Sequence, residues 1–198
     1  MDSAAFRWFN RLADRTHWAH GLMRFSANNG IVLFAVLLLV AYLRARHAAD
    51  IQAVAGAVWA GAAALGALAI GQVIGNIVDR GRPYATLANV HVLIDRTKDF
   101  SFPSDHATAV GAVAVGLYLA DRRIGMIAVV AAVIMAFARV YTGAHYPGDV
   151  LAGLALGGGV AAVGALLVVP ALGRLGGWLA TTPARPLVSR MITPRPSH

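Results

Sequence analysis

Long apolar runs separated by short polar islands dominate the chain, and the run lengths predict membrane-crossing helices. Five runs stand out, at about 30–43, 51–78, 104–120, 124–141 and 149–172. Arg44 and Arg46 close the first, Asp121-Arg122-Arg123 separates the third from the fourth, and the second is long enough to tilt. Ahead of them, Phe6, Phe9, Leu12 and Ala13 fall on one helical face, with Arg7, Asn10, Arg11, Asp14 and Arg15 opposite. That pattern predicts a helix lying in the membrane interface, with Trp8 and Trp18 at headgroup depth. The segment 79–103 is too polar to span. The expected architecture is all-α: a polytopic membrane helix bundle of about five transmembrane helices. It forms a single membrane-embedded domain over 1–172, with 1–25 as an amphipathic surface helix. A Pro/Arg-rich tail follows at 173–198.

Composition agrees. The chain is 58% hydrophobic and 13% charged, against roughly 25% charged for an ordinary soluble domain. It has no cysteine, so disulfides, thiolate chemistry and cysteine metal sites are excluded. The net charge of +8 comes almost wholly from arginine, Lys98 being the single lysine. These arginines sit in short interhelical segments and at the two ends. That distribution fits anionic lipid headgroups and gives no basis for a nucleic-acid partner.

Counting spans brings three islands to the same membrane face: Asp79-Arg80-Gly81-Arg82-Pro83, Pro103-Ser104-Asp105-His106, and Arg139 through Asp149. Lys and Arg divide evenly between the two faces, so the positive-inside rule does not orient the chain. With the arginines of the islands and the surface helix set aside, the island face leans outward.

The islands carry chemistry suited to phosphate. Pro103 stops any preceding helix and Ser104 is placed as an N-cap, whose free amides and helix dipole favour an anion. His106, in the first turn, is a candidate proton donor to a leaving oxygen. Asp149, four residues after His145, is in range to hold one imidazole nitrogen and leave the other as a nucleophile. A hydrogen-bonded pair that only stabilises the turn, or a metal pair, would read the same in sequence. Arg82 and Arg139 offer guanidinium forks that match phosphate oxygens.

Together these residues resemble the type-2 phosphatidic acid phosphatase superfamily, whose signature is Lys-x6-Arg-Pro, Pro-Ser-Gly-His and Ser-Arg-x5-His-x3-Asp. Arg82-Pro83, Pro103-Ser104-Asp105-His106 and Arg139, His145 and Asp149 match it. The resemblance implies that His145 attacks phosphorus, Asp149 orients it and His106 protonates the leaving group. It further implies that Arg82, Ser104 and Arg139 bind the phosphoryl oxygens, with no metal or other cofactor. Three positions depart: Gly75 stands where the Lys belongs, Asp105 replaces the Gly, and Ala138 precedes Arg139. Asn76, Arg80, Arg96 and Lys98 are candidate substitutes for the missing Lys.

The run from Asp99 to Ala107 resembles bacterial undecaprenyl-pyrophosphate phosphatases of the bacitracin-resistance type. The expectation is therefore a multi-pass enzyme of the bacterial inner membrane, its site facing outward. It would recycle the lipid carrier of peptidoglycan biosynthesis through a phosphohistidine intermediate. Two other readings compete: the same chemistry on phosphatidylglycerophosphate, phosphatidate or lipid A, and a non-catalytic polyprenyl-phosphate binder or transporter.

Overall fold

The computed structural model describes residues 2–189, and the described residues are helical without strands. Helix α1 is Asp2–Arg15, followed by a 3-10 turn at His17–Ala19, α2 His20–Asn29, α3 Ile31–His47 and α4 Ile51–Val78. A short α5, Pro83–Thr86, interrupts the polar segment before α6 Asp105–Ala120, α7 Arg122–Tyr141 and α8 Pro147–Leu179.

All five apolar runs are helices. By length and composition α4, α7 and α8 can each cross a membrane, and His17–Asn29 with Ile31–His47, bent by 56° at the break, gives a fourth crossing if the pair is one span. At 16 residues α6 is shorter, about 24 Å at 1.5 Å per residue. It still traverses the bundle. Its first turn lies beside Asp149, whose carbonyl accepts from the Ser104 amide at 3.1 Å, and at its far end Asp121 lies 3.5 Å from Arg44 of α3. It does so because it is buried along most of its length, and a helix enclosed by other helices need not match the lipid thickness.

Small residues let α4, α6 and α8 close around one another. A side chain at Gly153 or Gly157 of α8 would meet the Ser104 or Thr108 carbonyl of α6 at 2.7 and 2.0 Å. This is close backbone approach of the kind that drives helix association in lipid. Large apolar side chains such as Leu65, Leu166 and Leu167 point outward, the arrangement of a bundle whose solvent is hydrocarbon.

Two expectations shift. The surface segment 1–25 is not one helix: α1 ends at Arg15, and a separate helix, α2, begins at His20. The last span does not stop at 172 either, since α8 runs through Pro170 to Leu179. The expected tail therefore begins later, and its portion 190–198 lies outside the described residues.

Candidate active site

The turn between α7 and α8 is built to hold His145. Gly143 takes φ +81° and sits against the His91 carbonyl, where a side chain would clash at 2.7 Å. The Ala144 amide returns to the Arg139 carbonyl, and Pro147 then starts α8. His145 is 1% exposed. Its Nδ1 lies 2.8 Å from the Ser101 carbonyl, which only accepts, so Nδ1 carries the proton and Nε2 presents a lone pair. Arg82 Nη1 and Arg139 Nη2 each lie 3.2 Å from that lone pair. Burial, then the charges of Arg139 and Arg82, push the imidazole well below its usual pKa of 6.5, the Ser101 carbonyl opposing them. The ring is neutral and its free nitrogen faces two cations.

Asp149 does not bond the ring directly, as its spacing from His145 predicted. Its Oδ2 is 3.9 Å from Nδ1; it instead accepts from the Ser101 hydroxyl and from the Tyr146 amide at 2.9 Å. Oδ1 accepts from Arg80 at 2.7 Å. Ser101 stands between the two: its carbonyl holds the ring, and its hydroxyl holds the carboxylate. Sequence reasoning missed Ser101 because a loop serine in no capping position gives no signal of its own.

Arg82 and Arg139 are 7% and 6% exposed. Arg82 is gripped on its other edge by Asp99, with Nε and Nη2 each 3.0 Å from a carboxylate oxygen. Burial works to raise the Asp99 carboxyl, but the Thr97 hydroxyl and the Arg82 guanidinium outweigh it and hold it below the usual carboxylate range. Arg139 reaches across to the Ala27 carbonyl of α2 at 3.2 Å, while its Nε has no partner among the described residues. A buried guanidinium N–H without a partner is uncommon in a folded protein.

These groups line a cavity of about 330 Å³, to which α6 contributes His106 and Asp105 and α2 contributes Asn28. Gln72 of α4 donates to both oxygens of Asp105 at 3.0 Å, which gives that unmatched carboxylate a partner. Ser104 is fully buried and caps α6 through the Ala107 amide at 3.4 Å; it does not line the cavity. Among the described residues no group of three or more histidines or carboxylates is arranged to hold a metal ion.

Residues 56–171, from α4 into α8, match the PAP2 superfamily. The chain belongs to that family. It is 30% identical to the undecaprenyl-diphosphatase BcrC of Bacillus subtilis over 78% of this chain and 77% of that one. It is also 42% identical to the decaprenylphosphoryl-5-phosphoribose phosphatase of Mycobacterium tuberculosis, over 52% of this chain and 56% of the other. In fold it resembles the PAP2-type phosphatidylglycerolphosphate phosphatase of Bacillus subtilis, with TM-score 0.58 and 19% identity over 88% and 85% of the two chains. This PAP2 chain is thus a membrane hydrolase acting on phosphoester or pyrophosphate bonds.

The departure from the PAP2 signature at Gly75 has a packing cause. A side chain there would begin 2.5 Å from the Phe100 ring, which fills the space. None of the expected substitutes lines the cavity. Asn76 folds back on the Gln72 carbonyl at 2.8 Å, Arg96 lies over the Tyr84 ring at 5.7 Å, Lys98 is exposed, and Arg80 is bound to Asp149 and Asp2.

Proposed function

We propose that the protein hydrolyses undecaprenyl pyrophosphate to undecaprenyl phosphate and inorganic phosphate through a phosphohistidine. The observation that carries this reading is the unprotonated His145 Nε2 held between two buried guanidinium groups on the wall of a cavity that also holds a second histidine. Arg82 and Arg139 would draw the terminal phosphoryl group onto Nε2 and stabilise the charge that gathers on its oxygens. Nε2 forms a bond to phosphorus as the bond to the bridging oxygen breaks, and His106 gives its proton to the departing lipid monophosphate. His106 then takes a proton from water, whose oxygen displaces the imidazole and releases phosphate. The polyprenyl chain would remain among the lipid-facing helices. Such turnover would regenerate the carrier lipid for peptidoglycan synthesis and protect against bacitracin.

The likeness to the BcrC protein supports the pyrophosphate substrate, and the likeness to the mycobacterial phosphatase supports a second reading, a phosphate monoester on a sugar carried by a polyprenyl phosphate. A panel of lipid phosphates presented in detergent with EDTA separates them. Fastest phosphate release from undecaprenyl pyrophosphate is expected; preference for a monophosphate ester or a diacyl lipid overturns the assignment. Vanadate inhibition of that release is expected, whereas lipid binding without turnover would mean a non-catalytic carrier. We further propose that the site faces outward across the bacterial inner membrane. Because the chain has no native cysteine, a cysteine placed at exposed Arg96 should react with an impermeant maleimide in whole spheroplasts, and one placed at Arg123 should not. The reverse pattern inverts the topology.

A further inference from the structure

Arg80 and Asp2 form a buttress behind the site that the reaction as written does not use. One end of the Arg80 guanidinium donates to Asp149 Oδ1 at 2.7 Å and the other to Asp2 Oδ2 at 2.6 Å. The guanidinium carbon lies 4.0 Å from the centre of the Tyr146 ring, and that ring also packs edge-to-face with Phe6 of α1 at 5.5 Å between centroids. Asp2 Oδ1 accepts from the Gly148 amide at 2.9 Å, one of the free donors of the first turn of α8. Gly148 leaves the room: a side chain there would lie 2.8 Å from the Asp2 carboxylate. Phe6 and Asp149 are both fully buried.

A buried carboxylate needs a fixed countercharge, and removing one partner of a buried pair is far more damaging than the pair is stabilising. Asp149 has two oxygens with separate duties. Oδ2 faces Ser101 and His145, and Oδ1 is held by Arg80 alone among the described side chains. We propose that Arg80 and Asp2 are positioning residues for the attacking histidine, so that the interfacial helix α1 is a working part of the active site. Arg80 keeps Asp149 turned towards Ser101, Ser101 keeps the Nδ1–H tautomer, and Asp2 fixes Arg80 from the membrane surface. This assignment rests on His145 being the nucleophile. It differs from the expectation that Arg80 replaces the missing phosphate-binding Lys.

The test uses the full chain in detergent with undecaprenyl pyrophosphate. Arg80→Gln should lower kcat by ~10–100-fold, as removal of outer partners does elsewhere, with KM within about twofold. Arg80→Lys should recover most of that loss, and Asp2→Asn should show a smaller fall of the same kind. On an Asp149→Asn background Arg80→Gln should add less than about twofold, because neighbours in one network are not additive. A raised KM at unchanged kcat would make Arg80 a substrate contact and overturn the proposal, as would full additivity with Asp149→Asn. The His145 ring nitrogens, observed by 15N NMR, give a readout independent of turnover. They should report the Nδ1–H tautomer in the parent and a mixture in Arg80→Gln. If the parent hydrolyses no lipid phosphate, the proposed function falls while the buttress is still judged by that spectrum, and an unchanged tautomer removes it.

Discussion

Two cavities of similar size at opposite ends of the bundle are lined by different chemistry. The cavity near Asp50, Trp59 and Leu166 has about 350 Å³ and contains neither arginine nor histidine; the other, about 330 Å³, holds two of each. At the far end Asp50 is exposed and Asp121 half-buried, and both do structural work. Asp50 caps α4 through the Ala53 amide at 3.0 Å, and Asp121 caps α7 through the amides of Arg123 and Ile124. At the site end Arg82, Arg139, His145 and Asp149 are buried, and the two arginines bond His145 while Asp149 is bonded by Arg80. Volume is shared between these two cavities; buried, mutually constrained charge is not, and that is what marks one of them as the candidate site.

Substitutions should reproduce this asymmetry. The largest effect is expected from His145→Ala, which should abolish phosphate release. Retained turnover would remove the distinction between the two ends. Arg139→Ala should follow, with kcat lower by about 10²–10³-fold, the scale seen when one donor to developing oxyanion charge is lost. Phosphate-release assays at saturating lipid measure both. Restoring the signature lysine as Gly75→Lys should reduce activity rather than raise it, because Phe100 occupies its path, and Phe100→Ala in the same chain should relieve part of the loss. Asp99→Asn should strengthen inhibition by vanadate several-fold, since an anion entering the cavity then no longer competes with a resident carboxylate for Arg82; weaker inhibition would mean that Asp99 orients Arg82 for the substrate. The smallest effect is expected at the far end: Asp121→Ala should cost about 1 kcal/mol of stability, typical of a lost N-cap, and leave kcat unchanged.

The depressed pKa of His145 gives a signed effect of pH on stability. The unfolded ring binds a proton as pH falls through 6.5, and the folded ring, held well below that value by burial and two arginines, does not. The unfolded state therefore gains protons first, and stability declines as pH drops below about 6.5. Thermal unfolding between pH 7.5 and 5 should show a smaller decline in His145→Gln than in the parent.

Much of this was legible in the chain itself. Apolar runs bounded by Arg44, Asp121 and Asp149 mark where helices begin and end because lipid permits no unpaired backbone between them. His106, His145, Arg82 and Arg139, which the fold brings to one cavity, stood out because phosphate chemistry restricts which residue types can stand at those spacings. The bend between α2 and α3 was not legible. Asn28-Asn29-Gly30 reads as a helix start, and only the packing of α2 against α7 shows the chain already helical before it. The length of α8 was not legible either: the apolar run stops before Gly173-Arg174, yet the helix continues through them to Leu179. Ser101 and Asp2 were hidden for a different reason. Each acts through a hydrogen bond to a residue 48 or 146 positions away, and no local pattern encodes such a pairing. Ser104 was readable as a cap, and it caps α6 through the Ala107 amide.

The central claim concerns one nitrogen, His145 Nε2. Its most direct test is to quench the enzyme in alkali during turnover of undecaprenyl pyrophosphate carrying 32P in its terminal phosphate and to map the labelled peptide. The account expects label on His145, stable to alkali, released by acid and absent from His145→Gln. Label on another residue, or rapid turnover with no labelled enzyme at any time after mixing, would contradict it.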